Sequence, residues 1–201
     1  MNKFRSEQSG RSMVEMLGVL AIIGVLSVGG IAGYSKAMAK FKLSKAMDQV
    51  SNTVTNIRTL YSGQPNYEDL TTTIAIRMGA VGAEMLSGKS NTSATAAYNA
   101  FNGQVGIEAT KVNNVDNMGF KVTFTGLGKE ACVALSTADW GSGSGSGLIS
   151  VAAGTGAGTA TTFTQKAIGE TSAGTLPLAL ASAATGCEGD GDSNAVQWVY
   201  Y

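Results

Sequence analysis

The chain has 201 residues, of which 14 are basic and 14 acidic, so its formal net charge is zero. This length allows one ordinary domain plus an additional element. The balanced charge shows no excess of basic residues of the kind that nucleic-acid binding requires. The sequence contains no histidine, which excludes Ser-His-Asp chemistry and histidine-ligated zinc. The composition therefore argues against an enzyme and predicts no cofactor.

The first element is an uncharged stretch, residues 16–35, close to the N-terminus. A helix of about 20 residues spans about 30 Å, the thickness of the hydrocarbon core of a bilayer. Glu15 stands directly before it, and an ionisable residue at a membrane end is a candidate functional residue because charging it there is costly. Three interpretations are open: a cleaved secretory signal, an uncleaved signal anchor, or a short leader removed at Gly10. The apolar run is too long for the central region of a secretory signal.

Residues 10–27, GRSMVEMLGVLAIIGVLS, resemble the class III signal of type IV pilins and related pseudopilins. In that family a prepilin peptidase cuts after the glycine and methylates the new amine, and the signal remains as the helix of the subunit. The resemblance implies a leader over residues 1–10, cleavage between Gly10 and Arg11, N-methylation of Arg11, and an assembly role for Glu15. Family members usually begin with Phe or Met, and Arg11 departs from that pattern.

Beyond residue 35 the apolar residues recur every three or four positions, which predicts a continuing amphipathic helix. Gly63 and Pro65 end the pattern. The prediction is one helix over residues 11–62, about 75 Å long, spanning a membrane over about residues 13–35. A dimeric coiled coil is the alternative to packing against a globular head. The apolar stripe consists of Tyr34, Ala37, Met38, Phe41, Ala46, Met47, Val50, Val54, Ile57, Leu60 and Tyr61.

The head is predicted over residues 63–201. It has short helices over residues 67–78, with an acidic first turn, and over residues 129–137. Alternating or β-branched patterns predict strands. The predicted strands are residues 104–111, 120–125, 148–152, a stretch around Phe163, and residues 195–201. A Gly-Ser linker is predicted over residues 141–147 and a surface loop of small residues over residues 154–164.

The head also resembles the type IVb pilins, particularly the major pilins of conjugative thin pili. The segments that carry this likeness are residues 67–87, 99–107, 120–125 and 129–135. It implies an α+β pilin fold, in which a long N-terminal helix packs against a head containing an antiparallel β-sheet. The leader is short for that subgroup.

Cys132 and Cys187 are the two cysteines of the chain. They are too far apart for a CxxC motif, and an even pair behind an export-type N-terminus predicts one structural disulfide. Closing so long a loop stabilises the fold by about 4 kcal/mol in the chain-entropy model. Two separately buried thiols are the alternative.

Asp190, Asp192 and Asn194 place oxygen atoms at alternate positions, as at the start of a calcium-binding loop. Ala195 replaces the glycine that such a loop needs next, and Tyr201 stands where its bidentate glutamate belongs. A solvated turn before the last strand is the simpler interpretation.

The resemblance implies a structural subunit of a type IV, specifically type IVb, pilus. The subunit is expected in the inner membrane of a Gram-negative bacterium before cleavage, and then in an extracellular filament for adhesion, conjugation or motility. The implied partners are further copies of the chain, the prepilin peptidase, the pilus assembly platform and minor pilins. The alternatives are a minor pilin, a type II secretion pseudopilin, or a membrane-anchored exported binding protein that never polymerises, for which Glu15 would be dispensable.

Overall fold

This computed structural model describes residues 13–141, 146–157, 160–163 and 176–201. The chain divides into two compact units, Met1–Lys40 and Phe41–Tyr201. Helix α1 covers Met13–Tyr61 and provides the described part of the first unit as well as the first element of the second. Its end two residues before Gly63 agrees with the predicted helix stop. Residues 11 and 12, which the sequence prediction included in this helix, lie outside the described residues.

The second unit contains an antiparallel sheet of six strands in the order β1-β2-β3-β6-β4-β5, counted over the described ranges. The strands are β1 (Ala97–Tyr98), β2 (Gln104–Val112), β3 (Val115–Leu127), β4 (Leu148–Ala157), β5 (Ala160–Phe163) and β6 (Asn194–Tyr200). The last strand of the chain therefore lies in the middle of the sheet, between β3 and β4. The predicted α+β class with an antiparallel sheet is confirmed.

One face of the sheet forms the core with the second half of α1. Alternation along β3 buries Phe120, Val122 and Phe124, and β6 adds Val196 and Trp198 from the same face. Because successive strand residues point to opposite faces, this period-two pattern is the one that the sequence shows. The α1 residues that join this core are Ala46, Val50, Val54 and Ile57.

Three further helices lie in the described part of the second unit: α2 (Thr72–Arg77), α3 (Lys129–Thr137) and α4 (Leu180–Gly186), with a short 3₁₀ turn at Ala83–Met85. The predicted helix over residues 129–137 is confirmed. The prediction of a helix from residue 67 with an acidic first turn is wrong. Asp69 has a φ of +62°, which a helix does not allow. The helix begins only after Thr71, whose side-chain oxygen accepts a hydrogen bond from the Ile74 N–H at 3.3 Å.

The prediction of a surface loop over residues 154–164 is also wrong for the residues of this range that the structure describes. Gly154 pairs with Phe163 and Ala157 pairs with Ala160, so these residues form an antiparallel hairpin. Backbone hydrogen bonds make this strand pair, and small residues carry no side-chain signal by which a strand is recognised. The predicted Gly-Ser linker falls largely on residues 142–145, outside the described residues.

Candidate functional site

The N-terminal part of α1 exposes its apolar side chains. Every side chain in residues 13–37 is exposed, including Val25 at 75% of its surface. By length and composition this helix is able to cross a membrane. A continuous apolar surface of this size marks a membrane or protein contact, because soluble monomers rarely expose one.

Glu15 lies in the first turn of α1 as the structure describes it, and it is exposed. The helix dipole favours a carboxylate at this end. No charged side chain follows it until Lys36. Gly10 and Arg11, the predicted cleavage residues, lie outside the described residues.

Cys132 and Cys187 form the predicted disulfide, with their Cα atoms 5.9 Å apart. Cys132 lies in α3 and Cys187 is the residue that caps α4. The neighbouring Gly186 packs so tightly on β4 that a Cβ atom there would lie 2.6 Å from that of Ala153. The disulfide therefore joins two helices that cover the same part of the sheet.

The acidic segment after Cys187 forms a turn. The Ser193 N–H donates to the Asp190 carbonyl at 3.3 Å, and both Asp190 and Asp192 are exposed. Asn194 is fully buried. Its Oδ1 accepts from the Gly189 N–H at 2.7 Å, and its Nδ2 donates to the Leu127 carbonyl at 3.1 Å.

Asn194 thus has a structural partner for its oxygen, an arrangement that favours the turn over a calcium loop. In the part of the chain that the structure describes, no group of three or more Cys, His, Asp or Glu residues is arranged to hold a metal ion.

Arg58, in the last turn of α1, connects the helix to the end of β6. Its Nη2 donates to the main-chain oxygen of Tyr201 at 3.2 Å, and its guanidinium carbon lies 5.1 Å from the centre of the Tyr200 ring. Burial raises the pKa of Tyr200 to about 12, although the Arg58 charge opposes this shift. The apolar periodicity of α1 gives no signal for Arg58, so this cation–π contact was missed.

Gln49 is a second residue that the sequence pattern missed, a buried polar side chain on the packed face of α1. Its Oε1 accepts from the Ala100 N–H at 3.0 Å. The adjacent Asn99, also buried, donates to the Thr125 carbonyl at 2.8 Å and accepts from the Phe101 N–H at 2.9 Å. These bonds join α1, the turn after β1, and β3.

The fold is similar to that of a type IV pilin. The crystal structure of a type IVb pilin from Salmonella typhi has a TM-score of 0.51 at 19% identity, covering 77% of this chain and 97% of that one. The crystal structure of TcpA, a type IV pilin from Vibrio cholerae El Tor biotype, has a TM-score of 0.50 at 18% identity, covering 80% and 99%.

The family model described as "PilS N terminal" matches residues 42–201, and the chain belongs to this family of pilins. Curated relatives are the major structural subunits of the bundle-forming pilus from Escherichia coli O127:H6 (strain E2348/69 / EPEC) and Escherichia coli O111:H-. Each is 30% identical over 142 residues, which cover 71% of this chain and 69% of the relative. The predicted resemblance to type IV pilins is confirmed.

Proposed function

We propose that this chain is the structural subunit of a type IVb pilus, which polymerises through α1 into a surface filament. The observation that carries the proposal is the exposed apolar surface of residues 13–37 with Glu15 at its start. Such a surface must be covered by lipid or by other helices. A filament of parallel helices covers it with further copies of the same segment.

Glu15 is proposed to set the register between subunits. A carboxylate next to hydrocarbon costs on the order of 3 kcal/mol to keep charged unless it has a partner. Cleavage after Gly10 creates an α-amine at Arg11, which is a cation at neutral pH. In staggered packing, Glu15 of one subunit meets that amine of the next, which favours one axial offset over all others.

The proposal extends to the life of the subunit. Before assembly residues 13–35 span the inner membrane of a Gram-negative cell, where the prepilin peptidase removes residues 1–10. The assembly platform and minor pilins then take the subunit into the extracellular filament. We assign the chain no enzymatic activity, because its sequence lacks the histidine on which Ser-His-Asp and Cys-His chemistry depend.

The test expresses the chain with a prepilin peptidase and a pilus assembly system, then measures sheared filaments by electron microscopy and the N-terminal residue by mass spectrometry. Glu15→Ala is expected to abolish filaments or reduce them about tenfold or more, because the register-setting ion pair is lost. Glu7→Ala is the matched control, since Glu7 lies in the removed leader and its loss leaves filament yield unchanged.

A product that retains residues 1–10 would contradict the processing step. Normal filaments from Glu15→Ala would contradict the role of Glu15. An unmodified wild-type chain that is cleaved and stable but never forms filaments would favour the membrane-anchored binding protein instead.

A further inference from the structure

An exposed aromatic residue with two lysines beside it lies on α1 at the start of the second unit. The side chain of Phe41 is 62% exposed. Lys42 follows it directly, and Lys45 lies one turn further along the same helix face. Neither lysine forms an ion pair with another described residue. We call Phe41, Lys42 and Lys45 the basic patch.

A groove with the opposite charge lies at the C-terminal end of α1. Its volume is about 340 Å³, and it is lined by the end of α1 and the chain that leads to α2. Its apolar walls include Leu60 and Met78, which are 42% and 37% exposed. We call it the acidic groove; its residues in this argument are Leu60, Pro65, Glu68, Asp69 and Met78.

The carboxylates of the acidic groove are available for a partner. Glu68 and Asp69 are both exposed, and neither forms an ion pair within the residues that the structure describes. The main chain of this segment forms a local hydrogen bond instead: the Glu68 N–H donates to the Asn66 side chain at 3.1 Å. The groove thus offers an apolar surface with two free negative charges at its rim.

The patch and the groove match each other in chemistry but cannot meet within one chain. Phe41 and Leu60 lie about 28 Å apart along the helix axis and about 100° apart around it. We propose that the basic patch of one subunit docks into the acidic groove of a neighbouring subunit. Phe41 enters between Leu60 and Met78, and the two lysines face Glu68 and Asp69.

This contact rests on the proposed polymerisation and specifies how the heads take part in it. The two surfaces differ, so the contact is heterologous, and each subunit presents one patch and one groove about 28 Å apart along α1. A heterologous contact whose rotation does not close builds an open filament, as the proposed polymerisation requires. Complementary charge gives it one partner and one register.

An anionic lipid surface is the competing occupant for the basic patch, because aromatic and basic residues that follow a membrane span often lie among the headgroups. The acidic groove distinguishes the two. Lipid headgroups with negative charge do not bind Glu68 and Asp69, so only docking between subunits makes both surfaces necessary.

The first test is charge reversal in the full chain with its assembly system. Glu68→Lys and Lys42→Glu are each expected to reduce sheared filaments about tenfold, because like charges then face each other across the contact. The double variant is expected to restore most of the yield. Asp69 is left unchanged because its φ of +62° disfavours most replacements. Subunit abundance by immunoblot controls for folding.

The second test is cross-linking between co-expressed chains, one carrying Phe41→Cys and the other Met78→Cys. Oxidised filaments are expected to give mixed dimers. Tyr98→Cys in place of Met78→Cys is the matched control, since Tyr98 is similarly exposed at 39% but lies on β1, and it should give none.

The outcomes separate the two proposals. If filaments form but the Phe41 and Met78 chains cross-link no better than the control, the docking contact is wrong and the pilin function stands. If Lys42→Glu impairs assembly while Glu68→Lys does not, the patch binds lipid and the docking contact is overturned. If the wild-type chain forms no filament, the proposed function itself fails.

Discussion

Gln49 shows how one polar residue sets the position of a long helix. Apolar contacts along α1 have no direction, so the helix could slide by a turn and still bury a similar area. The hydrogen bond from the Ala100 N–H to Gln49 Oε1 exists at only one offset. It therefore gives α1 a defined register against the turn after β1.

Replacing Gln49 by Leu keeps the side-chain volume and removes the acceptor. We expect the free energy of unfolding to fall by about 1–3 kcal/mol, because the Ala100 N–H loses its partner in a partly buried site. The measurement is urea unfolding of the full chain in detergent, followed by tryptophan fluorescence. Asn52→Leu, at an exposed position of the same helix, is the control. Equal loss in both variants would refute the role of Gln49.

At the scale of elements, α4 depends on its covalent link more than on its own sequence. Its residues, Leu180–Gly186, are mostly small, and no side chain caps its first turn. Isolated helices of this length are unstable in water. The Cys187 disulfide and the close approach of Gly186 to Ala153 hold it on the sheet.

Substitution of both cysteines by Ala is expected to lower the free energy of unfolding by about 4 kcal/mol, since the disulfide closes a loop of sequence separation 55. Hydrogen exchange should show α4 opening first, because it loses its attachment to α3 while the central strands keep their pairing. The comparison is with the wild-type chain under reducing conditions, which should behave like the double variant. A loss below about 1 kcal/mol would mean that packing alone holds α4.

At the scale of the whole molecule, the ionisation of Tyr200 makes the free energy of unfolding depend on pH in the alkaline range. Its pKa is raised to about 12 in the folded chain, against an ordinary value of about 10 in the unfolded chain. The folded state therefore keeps its proton while the unfolded state loses it. The corresponding stability is complete below about pH 10 and is lost as pH rises toward 12.

We expect the free energy of unfolding to decline between about pH 10 and pH 12. In Tyr200→Phe the total decline over this range is expected to be smaller by up to about 3 kcal/mol. Stability measured by urea unfolding at several pH values checks this. Tyr98→Phe, at an exposed tyrosine, should leave the slope unchanged. Burial also raises the pKa values of Tyr61 and Tyr67. The same slope in wild type and Tyr200→Phe would show that such other groups, and not Tyr200, cause the loss of stability at alkaline pH.

The sequence was most informative where the pattern is local and long. The period of apolar residues predicted α1 to within its described ends, and alternation around Phe120, Val122 and Phe124 identified β3. Prediction from the sequence failed where the conformation depends on a single residue or on the pairing of strands. Asp69 in a left-handed conformation delays the start of α2. The strands predicted at residues 148–152 and around Phe163 lie in β4 and β5, but the small residues between them are recognisable as strands only once they pair.

By itself the sequence determined the long helix, the apolar segment with Glu15 and the helix that carries Cys132, because these follow from local residue patterns. It also indicated the disulfide between Cys132 and Cys187, because the chain contains only this pair of cysteines. Only the tertiary structure decided that β6 lies between β3 and β4, that Gln49 meets Ala100, and that Leu60, Met78 and Glu68 line one groove. The physical reason is that these contacts join residues far apart in the chain. Their partners are selected by packing of the whole core, which no local pattern contains.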